Sequence, residues 1–127
     1  MDIDSVRWML IDDWADIENT PRTERPPLRL ERWHHRAREL AITEQRQLIE
    51  VEDELQETAR SVAARQRREL HIELARDLAA CRALGHDLTP PWHRRLHRLA
   101  EVEGTPDETL RHAIENAAAA IQVVVAT

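Results

Sequence analysis

The chain has no phenylalanine, no tyrosine, only two glycines and a single cysteine in 127 residues. A sequence without Phe or Tyr, whose apolar residues are mostly Leu, Ala, Ile and Val, is poor material for sheet and points to helix. One cysteine excludes an internal disulfide. Cys81 stands among Leu78, Ala79, Ala80 and Leu84, a setting for a buried thiol and not for a nucleophile. No apolar run approaches the roughly 18 residues that would span a bilayer, and no leader pattern opens the chain, so a cytoplasmic protein is expected. Lysine is also missing, which leaves all 18 basic residues as Arg. Codon bias explains that as a default, ahead of selection for bidentate anion contacts.

Proline and glycine are scarce where it matters most. From Leu28 to Leu84 there is neither, and the run is fenced by Pro26-Pro27 and by Gly85. Good helix formers fill it, so the sequence predicts one very long helix over 28–84, with a break near Thr43 or Ser61 as the alternative. Trp33, Ala37, Leu40, Leu48, Val51, Leu55, Ala59, Val62, Leu70, Leu74, Leu78 and Cys81 form a narrow stripe close to heptad spacing, suited to a coiled-coil seam. Before it, Ile3, Val6, Leu10, Trp14 and Ile17 share a face of a helix within 1–20, and 21–27 (PRTERPP) is a stiff linker. After it, Thr89-Pro90 starts a third helix burying Trp92, Leu96, Leu99 and Val102, which Gly104 closes. Thr105-Pro106-Asp107-Glu108 reads as a capping box for a fourth, with Leu110, Ile114, Ala117, Ile121 and Val124 on one face. The tail could fray or add a short strand. The expectation is one all-α domain, 1–127, of about four helices in a helical bundle, with 89–121 as a helical pair and no internal repeat.

The net charge of −6 is laid out in blocks. Residues 50–57 hold five acids and no base, residues 60–68 four Arg and no acid, and residues 89–98 three Arg and two His without an acid. An acidic chain disfavours nonspecific nucleic-acid binding. Alternating blocks fit pairing between segments or with a partner. Two long helices crossed antiparallel about Thr58-Ala59 would set Glu50 against Arg68 and Asp53 against Arg65. Leu55 would then meet Val62, and Leu48 would meet Leu70, with Val51 in the same seam. A homodimer through Leu48, Glu50, Val51, Asp53, Leu55, Val62, Arg65, Arg68 and Leu70 follows as an expectation.

Catalytic and metal constellations are incomplete. His93 and His97 share a helical face, but Arg94 stands where a zinc protease motif needs Glu. Glu31 and His34 have the spacing of a di-iron ligand pair without further carboxylates at core depth, and Glu50 and Asp53 could hold magnesium only with a second acidic pair. The segment Leu88 to Ala117 loosely resembles the two helices and turn of ribbon-helix-helix repressors, yet 81–87 (CRALGHD) lacks their DNA-reading strand. No catalytic residue, metal or cofactor is assigned. The expected function is a non-enzymatic interaction, adaptor or inhibitor protein, with Trp92, His93, Arg94, Arg95, His97 and Arg98 as the partner surface. A nucleic-acid-associated regulator using the same basic helix is the alternative, and a helical metal or nucleotide hydrolase the second.

Overall fold

The computed structural model describes residues 2–121; Val124 and the rest of the tail lie outside them. Five helices follow in order, α1 (Ile3–Glu18), α2 (Pro27–Glu44), α3 (Leu48–Leu84), α4 (Pro90–Glu103) and α5 (Asp107–Ala119), with a 3-10 turn at Arg22–Glu24. No strand occurs among the described residues. The all-α class is as expected, and α3, at 37 residues, is the long central helix.

The expected helix over 28–84 is divided. At Gln45 the backbone turns left-handed (φ 54°, ψ 45°), and two hydrogen bonds close the turn: Arg46 N–H to Ala41 O at 2.9 Å and Gln45 N–H to Ile42 O at 3.2 Å. This is a Schellman cap built on glutamine, invisible to a search for glycine. Ion pairs hold the corner. Arg7 on α1 reaches both Glu44 oxygens at 2.6 and 2.8 Å and Glu54 at 3.1 Å, while Arg46 grips Glu54 at 2.6 and 2.8 Å. Hydrogen bonds from Arg46 first, and then from Arg7, pull the Glu54 carboxyl down to about 2.

The break has a signed consequence. A left-handed residue with a Cβ costs roughly 1 kcal/mol or more, and glycine avoids that cost. Gln45→Gly is therefore expected to stabilise the protein by about 1 kcal/mol in urea unfolding. Were 28–84 a continuous helix, the same change would destabilise it by about 1 kcal/mol.

One core was expected and there are two. The chain divides into Met1–Arg65 and Gln66–Thr127. In the first unit α1, α2 and the start of α3 enclose Leu10, Ile11, Ala15, Trp33, Ala37, Leu40, Val51, Leu55 and Ala59. In the second, the end of α3 with α4 and α5 encloses Leu74, Ala75, Leu78, Trp92, Leu96, Leu99, Leu110, Ile114 and Ala118. Charged residues from Arg60 to Glu69 leave the middle of α3 too polar to carry one continuous core.

The two units repeat one design, which corrects the expectation of no internal repeat. Residues 33–41 (WHHRARELA) and 92–100 (WHRRLHRLA) agree at Trp33/Trp92, His34/His93, Arg36/Arg95, Leu40/Leu99 and Ala41/Ala100. Each Trp is buried and donates its indole N–H to a backbone carbonyl of the preceding helix, Trp33 to Leu10 at 2.8 Å and Trp92 to Leu74 at 3.0 Å. The offset persists into the next helix, where Val51/Leu110, Leu55/Ile114 and Ala59/Ala118 are all buried. It also relates the turns. Gly104 takes the place of Gln45, is likewise left-handed, and has the same cap, Thr105 N–H to Ala100 O at 3.0 Å. Pro106 is consequently the residue before α5, and Thr105 makes no side-chain cap; the expected capping box is replaced by the requirements of this turn. The first helices match at Leu10/Leu74, Asp13/Asp77 and Ala15/Ala79, and here volumes are traded: Trp14 for Leu78 goes with Ala37 for Leu96.

Candidate interaction surfaces

The basic helix that looked like a partner surface is largely engaged within its own unit. Trp92 is 3% exposed and belongs to the core. Arg95 lies 3.1 Å from Glu73 and 3.4 Å from Asp77, both supplied by α3. His93 Nδ1 is 3.2 Å from an Arg111 guanidinium nitrogen, and His97 bridges Asp107 at 2.6 Å and Glu101 at 2.7 Å. Arg94 and Arg98 are exposed. The segment has no acid in sequence, yet the fold sets acids of α3 and α5 around it.

His97 ties α4 to the first residue of α5, and this contact titrates. Hydrogen bonding to Asp107, then the charges of Asp107 and Glu101, raise its pKa above the usual 6.5. The folded state thus holds the proton more tightly than the unfolded chain. The stabilisation is complete below the unfolded value of about 6.5 and is lost as pH rises through the raised folded value. The melting-temperature gap between the native protein and His97→Gln should be open at about pH 6 and narrow as pH rises through the raised folded value; a gap that stays constant with rising pH would contradict the assignment.

The apolar residues expected to form a seam between two copies pack into or against the cores of their own chain. Val51 and Leu55 are 0% and 1% exposed, covered by α1 and α2 of their own chain. Leu48 and Val62 pack at the edge of that core, and Leu70 at the edge of the other. Glu50, Asp53, Arg65 and Arg68 are exposed, and Glu50 lies 3.9 Å from Arg46. Cys81 is half-buried. His34 is engaged by Glu52 at 2.9 Å, and among the described residues no group of three or more metal-ligating side chains converges.

A surface that the sequence pattern did not single out lies along α1 and α2. Ile3, Val6, Met9 and Leu10 of α1 face Arg36, Glu39, Leu40 and Thr43 of α2 across a depression of about 400 Å³. Through Arg36 it meets a second depression lined by Asp13, Leu28, Arg29, Arg32 and Trp33. Ile3 (44% exposed), Met9 (45%) and Leu28 (72%) are left facing solvent along this line. Its α1 wall carries Asp13 and Asp16, and its α2 wall Arg29, Arg32 and Arg36.

No family model matches the chain, and no curated protein or solved structure matches it significantly. The second unit therefore serves as the reference for the first. At the repeat positions of Ile3, Met9 and Glu39 it has Arg67, Glu73 and Arg98. Glu73 pairs there with Arg95, the counterpart of Arg36, so an ion pair occupies in one unit the place that an exposed methionine has in the other. The signal was present in the sequence, but only an alignment of the two halves exposes it.

Proposed function

We propose that the protein is a non-enzymatic protein-interaction module of adaptor or inhibitor type, and that the α1–α2 groove of the first unit is its docking face. The observation that carries this reading is the replacement of the charged residues Arg67 and Glu73 of one repeat by Ile3 and Met9 in the other, on the same scaffold. Exposed Ile and Met are hydrated unfavourably and add little to the isolated fold, whereas they supply binding energy once a partner covers them. Methionine in particular adapts to the shape of what covers it.

The test is native recovery of the full-length chain beside Met9→Glu, which installs the residue of the other repeat and offers Arg36 a second carboxylate. A polypeptide, or a differently tagged second copy of the chain, retained in stoichiometric amount by the native chain and lost from the variant is expected. Equal retention by both would overturn the assignment of the groove.

A further inference from the structure

We infer that the occupant of the α1–α2 groove is the same groove of a second copy of this chain; the inference rests on the docking face proposed above. The argument is charge complementarity along the groove. One end is mainly apolar, with Ile3 and Met9 exposed on α1 and Glu39 and Arg36 on its α2 side. The other end carries Asp13 and Asp16 on α1 and Arg29, Arg32 and Arg36 on α2.

A two-fold axis parallel to the groove places α1 of each copy over α2 of the other. Apolar end then meets apolar end, and the acidic wall of each copy lies on the basic wall of its mate, as an isologous interface requires. The perpendicular axis would put the apolar end on the charged one and α1 on α1, acid facing acid. A foreign partner would have to match both walls and the apolar end separately, whereas a second copy matches them by symmetry. The arginines keep capacity for this. Arg29 touches Asp16 at 3.1 Å and Asp13 at 3.8 Å, and Arg36 touches Asp13 at 3.8 Å, so most of the five N–H donors of each guanidinium remain available.

The size is also adequate. Helices of 16 and 18 residues side by side present a face about 25 Å long and roughly 20 Å wide, which with side-chain relief approaches the ~800 Å² per partner of a standard interface.

Light scattering on the full chain at tens of micromolar tests the inference, with helix content followed by circular dichroism. The native protein is expected at twice its 14.8 kDa mass. Met9→Glu and, independently, Ile3→Arg are expected at half the native value with helix content unchanged, because the second unit already tolerates both residue types at these repeat positions. A monomeric native protein overturns the second-copy assignment, and so does a dimer that survives both changes. Either result leaves the docking face itself to be judged by the differential recovery of the native chain and Met9→Glu, so the two failures are distinguishable.

Discussion

Trp33→Ala and Trp92→Ala are each expected to remove about 3–5 kcal/mol of stability, the usual cost of truncating a buried Trp. Each ring is at least 97% buried, and each indole N–H is spent on a carbonyl of the neighbouring helix. Units of this size hold roughly 3–10 kcal/mol at about 0.05–0.15 kcal/mol per residue, so either change removes a large share of the stability of the core it belongs to. The two variants separate cleanly by fluorescence. Trp8, Trp14 and Trp33 lie in the first unit and Trp92 alone in the second. Trp33→Ala should leave the buried emission of Trp92, and Trp92→Ala should leave the emission of the other three. Trp→Phe at either site keeps most of the ring burial and gives up one hydrogen bond, about 1 kcal/mol. If Trp33→Ala exposed Trp92 in the same transition, the two cores would be one cooperative structure.

Leu55→Asp separates the intrachain core from the seam that α3 seemed to offer. Leu55 is 1% exposed beneath α1 and α2. A carboxylate there meets no partner, and burying it costs several kcal/mol unless the site opens to water. The expected result is loss of helix content and collapse of the first unit at every protein concentration. A leucine on a seam between copies would behave differently, with dissociation into folded monomers and restoration at higher concentration.

Much of the architecture was legible because helix punctuation is local. Pro90, Gly85 and Gly104 act where the sequence places them, although Thr89 makes no side-chain cap, and the face of α4 follows from spacing. On α1, Leu10 and Ile17 are buried as expected, Val6 and Trp14 are partly buried, Ile3 is exposed, and Ile11 and Ala15 join the core. The break at Gln45 was legible only as the alternative of a break near Thr43 or Ser61, since the left-handed turn that fixes it is held by packing and by the Arg7, Arg46, Glu44 and Glu54 pairs, which come from distant parts of the chain. The partner of the α3 stripe was ambiguous for a related reason. Heptad-like spacing on α3 says that Val51 and Leu55 are buried, and it cannot say whether α1 or a second α3 buries them. The ion pairs of the basic block were not legible because its acids, Glu73, Asp77 and Asp107, lie outside the block. The repeat is masked in the sequence because a longer α1–α2 linker shifts the register of the first helices, and because α3 runs from one unit into the other without a turn. The groove became visible only with the repeat, since Met9 alone is an ordinary exposed residue beside its counterpart Glu73 until the two are aligned.

The docking face is tested most directly by a photo-crosslinking residue placed at Met9 in one form of the full-length protein and at Glu73 in another, with both forms irradiated under native conditions. These are equivalent sites of the same scaffold, so they differ only in whether the groove is a contact. The Met9 probe is predicted to yield a discrete crosslinked polypeptide of defined mass, and the Glu73 probe none. Equal crosslinking at the two sites, or crosslinking at Glu73 alone, would contradict the assignment of the α1–α2 groove as the surface through which this protein acts.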